Sequence, residues 1–365
     1  IKSLMEAESS SLFVGGEFYD DPDWQLDRHV LSSGDTHFLI GGRACLAVIT
    51  GYLRGHGIHR ILLPSYLCPS ILDVFQRQRL GWAFYRVNQD LSIDLADLEE
   101  KARDFPAVYF INYFGFPHAA LTLSALKDLQ KGGKLLVEDN AQAGFPDKMI
   151  GDFAFNSLRK LAPFDGGYLF THLEIEPFLH QGEPVPNRRL PLMRAYRREL
   201  REYLLNGRGS YRRLDALHAR AERFYEQDMV ITGDPLEREQ IERQDWQGMR
   251  RKRRENYQYL LERLAGIPEI KPLFPVLDQD ASPLGLPVYV EGVSRDGLYE
   301  YLGEHSIGLF IHWQEILGDS RFKDVPEVYG MAGRMLTLTC DQRTSQNQLD
   351  YLLECLKKGI ALLQG

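Results

Sequence analysis

The sequence has little of what marks several common protein classes. Its 365 residues include only Cys45, Cys68, Cys340 and Cys355, with no CxxC pair, and its ten histidines show no HExxH spacing. Neither a disulfide framework nor one of the usual zinc sites fits this pattern, so we predict no metal site. Cysteine usage of this kind is typical of a reducing cytoplasm, which is the location we expect.

Long apolar runs and an excess of positive charge are also missing. No stretch approaches the roughly 18 consecutive apolar residues that a spanning helix needs, so we expect no membrane partner. The formal charge of -8 at pH 7 disfavours a nucleic-acid partner. No GxGxxG motif follows the first predicted strand, which disfavours a nicotinamide enzyme. The chain begins with Ile1 rather than Met, and the sequence leaves open whether a targeting segment precedes it.

What is present is the composition and pattern of a globular α/β protein. Hydrophobic residues make up 44% of the chain and charged residues 26%, which allows a large core. From about residue 38 to 172, predicted strands alternate with predicted helices, as in "RILLPSYLCPSILDVFQRQ". This alternation predicts a mostly parallel sheet covered by helices. Ligands of such sheets bind beyond the carboxyl ends of the strands, where Gly41, Gly115 and Asp139 fall.

The pattern changes after this alternating region. Residues 187 to about 264 are predicted to be helical and are rich in arginine. We interpret them as solvated helix faces with Arg–Glu pairs, and an anion-facing patch shared across a dimer is the alternative. The remaining residues predict a smaller α+β C-terminal domain, with a Ser-capped helix between two strands. We therefore expect a large domain at 1–240, with an irregular N-terminal segment at 1–36, and a small domain at 241–365.

An acid and a lysine follow the predicted strand "KLLVED". Asp139 ends this strand, and Lys160 lies in a later loop, shortly before the pair Gly166 and Gly167. Pyridoxal 5'-phosphate needs a lysine for its aldehyde, an acid for its pyridine nitrogen, and amides and hydroxyls for its phosphate. Ser157 supplies a hydroxyl, and the "GGRA" turn at 41–44 supplies amides at a helix N-terminus. The sequence therefore predicts pyridoxal 5'-phosphate as the cofactor.

These motifs resemble those of the DegT/StrS-type sugar aminotransferases, which are fold type I pyridoxal-phosphate enzymes. The resemblance rests on "VEDNAQA", "SLRK" and "DGG", and it continues through "LPSYLCPS", "VYFINYFGFP", "SRDGLYEYLGEHSIGLF" and "MLTLTCDQRTSQNQLDYL". It implies a homodimeric aminotransferase that transfers an amino group from glutamate or glutamine to a keto-sugar. A nucleotide-linked keto-sugar is the acceptor that the resemblance favours.

The resemblance also implies roles for individual residues. Lys160 would form the Schiff base and move the α-proton, Asp139 would pair with the pyridine nitrogen, and Gln142 would bind the ring hydroxyl. The remaining cofactor-binding candidates are Gly42, Arg43, Ala44 and Ser157 at the phosphate, and Tyr66 or Cys68 in the segment that packs against the ring. Weaker candidates for substrate contact are Asn112, His312 and Trp313, for which a strand terminus or simple packing is the simpler interpretation.

The sequence departs from the family pattern in its phosphate motif. The family commonly has Ser-Gly-Thr where this chain has Gly41, Gly42 and Arg43, and its usual asparagine segment is not found. Two alternatives therefore stay open. The first is a pyridoxal-phosphate enzyme of the same fold that catalyses elimination or carbon–carbon bond chemistry. The second is a regulatory or scaffold protein without catalysis, against which the presence of both Lys160 and Asp139 argues.

Overall fold

A computed structural model of the protein describes residues 13–20, 35–179, 185–227 and 231–364. The strands of these residues are β1 (Val14–Gly15), β2 (Thr36–Leu39), β3 (Arg60–Pro64), β4 (Gly81–Tyr85), β5 (Ala107–Ile111), β6 (Leu135–Asp139), β7 (Phe153–Phe155), β8 (Gly167–Phe170), β9 (Ile270–Pro272), β10 (Leu286–Val290), β11 (Ile307–Gly308) and β12 (Met335–Leu338). The helices are α1 (Gly42–Gly55), α2 (Pro69–Arg77), α3 (Leu95–Ala102), α4 (Ala120–Lys131), α5 (Glu176–Leu179), α6 (Arg189–Asn206), α7 (Tyr211–Gln227), α8 (Pro235–Glu242), α9 (Trp246–Leu264), α10 (Arg295–Glu304), α11 (Glu327–Arg334) and α12 (Gln346–Gln364).

The largest sheet has seven strands in the order β2-β8-β7-β6-β5-β3-β4. Strands β3 to β7 run parallel to one another, whereas β8 is antiparallel to both of its neighbours, β7 and β2. Every residue of β5 is buried, as expected for a strand with both faces of its sheet covered. The predicted α/β class, with a mostly parallel sheet covered by helices, is confirmed.

The carboxyl ends of the parallel strands form the edge that carries the candidate site. Ile111 at the end of β5 pairs in register with Asp139 at the end of β6. The start of β8 lies against the turn before α1, because a Cβ atom on Gly167 would be 3.2 Å from the Cα of Gly41 and 2.4 Å from the backbone oxygen of Asn156. Only glycine therefore allows this approach of the two backbones.

A second sheet, β12-β10-β9, is antiparallel and lies in the predicted C-terminal unit. The predicted serine cap is present, since the Ser294 hydroxyl accepts a hydrogen bond from the Gly297 amide at 3.0 Å. The strand predicted after this helix is shorter than expected: β11 pairs with β1, and Phe310, just beyond it, forms an antiparallel bridge with Thr337 of β12. The division at residue 240 stays a prediction. Most of the predicted irregular segment 1–36 lies outside the described residues.

The arginine-rich region forms helices α6 to α9, of which α6 and α7 pack as a pair around a small core of Met193, Tyr196, Leu214 and Ala221. The interpretation as solvated faces holds for pairs such as Arg238 with Glu242. It is wrong for Arg189, Arg197 and Arg253, which are buried. Arg189 and Arg197 both pair with the buried Asp165, because a carboxylate inside the protein needs a charged or hydrogen-bonding partner.

Candidate active site

Asp139 is held at the end of β6 by two hydrogen bonds. One carboxylate oxygen accepts from the Tyr109 hydroxyl at 2.5 Å, and the other accepts from the Ala141 amide at 2.7 Å. Burial raises the pKa of Asp139, while the Tyr109 hydrogen bond and the charge of Lys160 act in the opposite direction. A cation bound beside this carboxylate would therefore stabilise its charged form.

Lys160 ends a short 3-10 turn, Leu158–Lys160, whose backbone is fixed on both sides. The Leu158 amide donates to the Gly166 carbonyl at 2.9 Å, and the Lys160 amide donates to the Ser157 carbonyl at 3.3 Å. Burial lowers the pKa of Lys160, whereas the nearby Cys68 and Asp139 raise it. A lowered pKa increases the share of neutral amine, which is the nucleophilic form.

Gln142 carries a buried donor that has no partner. Its side chain is only 2% exposed, and its Oε1 accepts a hydrogen bond from the Phe114 amide at 2.8 Å. Within the described part of the chain, its Nε2 makes no hydrogen bond. An unsatisfied buried donor costs on the order of 1–3 kcal/mol, which a ligand oxygen would recover. The ring hydroxyl of pyridoxal phosphate is such an acceptor, so this residue fits the predicted cofactor.

The first turn of α1 faces Ser157. A Cβ atom on Gly42 would lie 3.4 Å from the Ser157 Cβ, and one on Gly41 would lie 4.0 Å from the Ser157 hydroxyl. The first amides of a helix have no intrahelical acceptor and lie at its positive end, which suits a phosphate. The Ala44 amide is engaged in this turn, because it donates to the Gly41 carbonyl at 3.0 Å.

Of the two residues considered for contact with the ring, the structure brings Cys68 close to the candidate site. Cys68 interacts electrostatically with Lys160 and with Tyr109, which holds Asp139. Tyr66 is fully buried, its hydroxyl donates to the His312 carbonyl, and its ring centroid lies 5.3 Å from that of Trp313.

The three weaker candidates have different surroundings. Asn112 donates to Glu138 Oε1 at 3.0 Å and to Asn140 Oδ1 at 2.6 Å, so its amide is used within a buried network. Trp313 packs against Tyr66 and is 7% exposed. His312 lies near Lys160, and burial, with a smaller contribution from the Lys160 charge, lowers its pKa to about 3. Its imidazole is therefore neutral at pH 7, with Nδ1 2.9 Å from the Thr337 hydroxyl.

Sequence reasoning missed two tyrosines at this edge of the sheet. Tyr109 lies on β5, and a tyrosine in a buried strand usually needs a partner for its hydroxyl, which was the available signal. Tyr225 lies on α7, and its ring centroid is 4.1 Å from the Arg43 guanidinium carbon. No local pattern in the sequence indicates this contact, because it depends on how the helical pair packs.

A cavity of about 240 Å³ adjoins the turn that carries Lys160. Its lining includes Gly144, Phe145, Leu161, Trp246, Arg250 and Arg253. Leu161 directly follows Lys160 in the sequence, so the cavity borders the residue next to the candidate catalytic lysine.

The described residues include no group of three or more His, Cys, Asp or Glu side chains arranged to hold a metal ion. None of the helices among them is long and apolar enough to cross a membrane.

The fold is similar to those of solved aminotransferase structures. The aminotransferase TlmJ from Streptoalloteichus hindustanus shares 16% identity, with a TM-score of 0.62 over 91% of this chain and 87% of that one. The sugar aminotransferase CalS13 from Micromonospora echinospora shares 16% identity, with a TM-score of 0.59 over 93% and 99%. A DegT DnrJ EryC1 StrS aminotransferase from Brucella abortus shares 17%, with a TM-score of 0.57 over 88% and 85%.

The sequence itself matches no protein-family model and no curated protein. Similarity at such low identity concerns the fold, and it extends over most of both chains in each case. The chain therefore has the fold of these aminotransferases, the fold type I that the sequence predicted.

Proposed function

We propose that this protein is a pyridoxal-phosphate-dependent aminotransferase in which Lys160 binds the cofactor. The observation that carries the proposal is that the buried Asp139 and Lys160 interact electrostatically at one edge of the sheet. Gln142 follows Asp139 by three residues, and among the described residues its buried Nε2 has no partner. Asp139, Lys160 and Gln142 match the pyridine nitrogen, the aldehyde and the ring hydroxyl of the cofactor, respectively.

When bound, pyridoxal phosphate supplies an electron sink that stabilises negative charge at the α-carbon of an amino acid. Asp139 keeps a proton on the pyridine nitrogen, because its buried carboxylate is more stable beside a cation. Lys160 Nζ takes up and returns the α-proton, a role favoured by its lowered pKa. Gln142 Nε2 donates to the ring oxygen and thereby fixes the orientation of the ring.

For the substrates, we propose glutamate or glutamine as the amino donor and a keto-sugar, nucleotide-linked, as the acceptor. The similarity of the fold to that of the sugar aminotransferase CalS13 supports the sugar class. The cavity beyond Leu161 offers aromatic walls, Phe145 and Trp246, of the kind that cover the apolar face of a sugar ring. A homodimer in the cytoplasm completes the proposal and stays a prediction.

Absorption spectroscopy tests the cofactor and the lysine together. We expect pyridoxal phosphate to give the wild-type protein a near-ultraviolet and visible band that glutamate or glutamine then changes. Lys160→Ala should lose this band, because the amine is gone, whereas Lys148→Ala should keep it. Lys148 is a suitable control, since it lies in the same segment and its side chain is 84% exposed. Transamination that persists in Lys160→Ala would refute the assignment.

Nitrogen labelling then tests the reaction type. With ¹⁵N-labelled donor, transamination predicts that the label appears in an aminated sugar. Release of the label as ammonia would instead indicate elimination. A cofactor band that no amino donor changes would contradict both reactions and favour a protein without catalysis.

A further inference from the structure

Three arginines surround one aromatic ring at the first turn of α1. The guanidinium carbons of Arg43, Arg159 and Arg189 lie 4.1, 5.0 and 4.7 Å from the ring centroid of Tyr225. The Tyr225 hydroxyl is 3.8 Å from the position of a Cβ atom on Gly41. We call these four residues the arginine cluster. It lies directly against the glycine turn that Ser157 also faces.

The acidic neighbours of the arginine cluster engage Arg159 and Arg189 rather than Arg43. Arg189 pairs with Asp165 and with Glu222, and Arg159 lies 4.0 Å from the same Glu222 and also interacts electrostatically with Glu17. Asp165 is shared with Arg197, which lies outside the cluster. Among the described residues, no carboxylate oxygen comes within 4.0 Å of Arg43. An anion in this place would therefore neutralise charge that the protein leaves unmatched.

Hydrogen-bond donors of the arginine cluster are also left over. The Nε atoms of Arg159 and Arg189 are buried, and within the described residues they have no partner. Arg43 donates to the Tyr225 carbonyl at 3.3 Å, a single bond from a group that offers five. The ring and the carbonyl of Tyr225 together hold this guanidinium beside the start of α1.

We propose that Arg43 and Arg159, positioned by Tyr225, bind the phosphate group of the cofactor together with Ser157 and the first amides of α1. This inference rests on the proposed function. Two guanidinium groups suit a phosphate dianion, because each presents paired N–H donors to its oxygens. Arg43 thus takes the place of the hydroxyl residue that the family commonly has in this turn. All of these groups come from one chain.

The test compares pyridoxal phosphate with pyridoxal, which lacks the phosphate. We expect the wild-type protein to prefer the phosphorylated form in absorption titrations. Arg43→Met should weaken the binding of pyridoxal phosphate about 10- to 100-fold, which is the usual effect of losing hydrogen bonds to a charged group. The binding of pyridoxal should stay unchanged. Retained pyridoxal binding also shows that the variant is folded. Arg54→Met, at the opposite end of α1, should leave both affinities unchanged.

Two further variants separate charge from positioning. Arg43→Lys keeps the charge but loses the paired donors, so we expect a smaller loss of pyridoxal-phosphate affinity than in Arg43→Met. Tyr225→Ala removes the ring that orients Arg43, and Tyr225→Phe retains it. We therefore expect Tyr225→Ala to weaken pyridoxal phosphate more than Tyr225→Phe does, again with pyridoxal unchanged. Equal losses for both ligands would indicate a purely structural role and overturn the inference.

Phosphorus NMR of the bound cofactor gives a readout that does not depend on activity. A free phosphate monoester takes up its second proton at about pH 6. Beside two guanidinium groups it should stay a dianion, so its chemical shift should be constant between pH 8 and pH 5.5. In Arg43→Met we expect the titration near pH 6 to reappear.

The outcomes distinguish this inference from the proposed function. A wild-type protein that gives no band with pyridoxal phosphate refutes the proposed function and the inference with it. A wild-type band with an unchanged phosphate preference in Arg43→Met refutes the inference alone. If Arg43→Met weakens a nucleoside diphosphate while the preference for pyridoxal phosphate stays the same, the arginine cluster serves the substrate and the inference is also overturned.

Discussion

Asp139 can act as the partner of a pyridine nitrogen because its neighbours fix both of its oxygens. Tyr109 and Ala141 donate to them, so the carboxylate does not rotate freely. The strand end and the family motif, both of which are local, indicate Asp139 as a candidate. No local pattern indicates its contact with Tyr109, because this contact joins neighbouring strands of the sheet and depends on their register.

Asp139→Asn tests this role, because it replaces one carboxylate oxygen by an amide nitrogen and removes the negative charge. The new amide keeps an oxygen for Ala141, and the Tyr109 hydroxyl can accept from its nitrogen, so we expect little change in the free energy of unfolding. The rate of the half-reaction with glutamate should fall by about 100-fold or more, since the negative charge opposite the pyridine nitrogen is lost. Stopped-flow absorption measures this rate.

Tyr109→Phe is the matched control for the charge. It removes the hydrogen bond but keeps the carboxylate, so its half-reaction should slow far less than that of Asp139→Asn. Equal rates in the two variants would contradict the assignment of the charge as the important property.

At the scale of elements, the sequence predicted the alternating strands and helices from β2 to β8 because local periodicity encodes them. Asp94 and Ser294 cap α3 and α10 as short-range rules expect. The pairing of β1 with β11 was not predictable, because Val14 and Ile307 are distant in sequence and each strand is too short to show a pattern. The contact of Tyr225 with Arg43 was not predictable for the same reason, because these two residues are also distant in sequence.

The packing of β8 on the glycine turn gives a prediction for stability. In Gly167→Ala, the new methyl group would lie 2.4 Å from the Asn156 carbonyl oxygen and 3.2 Å from the Cα of Gly41, and neither backbone atom can easily move. We expect a loss of about 1–3 kcal/mol in the free energy of unfolding, measured in urea. Because Gly41 belongs to the glycine turn that we propose to bind the phosphate, the affinity for pyridoxal phosphate should fall as well.

Gly266→Ala is the matched control for this substitution. Apart from its two chain neighbours, no heavy atom of the described residues lies within 4 Å of a Cβ at Gly266. Its stability should change by less than about 1 kcal/mol in either direction. A similar loss in both variants would show that the effect comes from the glycine backbone itself, not from the close approach of β8.

At the scale of the whole molecule, the side chain of Arg343 links the start of the described chain to its C-terminal part. Arg343 pairs with Asp341 at 2.8 Å and donates to the carbonyls of Gly16 and Glu17, both at 3.0 Å. Burial would raise the pKa of Asp341, but the charge and hydrogen bonds of Arg343, together with the charge of Arg253, lower it to about 2. No local pattern in the sequence indicates this link, since its partners are more than three hundred residues apart.

A lowered pKa in the folded protein means that Asp341 stabilises the fold above the ordinary pKa of 3.8, and that this contribution is lost as the pH falls toward 2. The difference between the two values corresponds to about 2 kcal/mol. Asp341→Asn removes the titration. We therefore expect it to be about 2 kcal/mol less stable than wild type at pH 6, with the difference shrinking between pH 4 and pH 2.

Urea unfolding of both proteins across this pH range measures the difference, and other groups cancel because they titrate alike in both. Asp128→Asn is a suitable control, since this aspartate is 65% exposed in a surface pair with Lys131. Its stability should differ from wild type by less than about 1 kcal/mol throughout. A difference for Asp341→Asn that stays constant down to pH 2 would mean that packing, and not the charge of Asp341, holds the N-terminal segment against the C-terminal part.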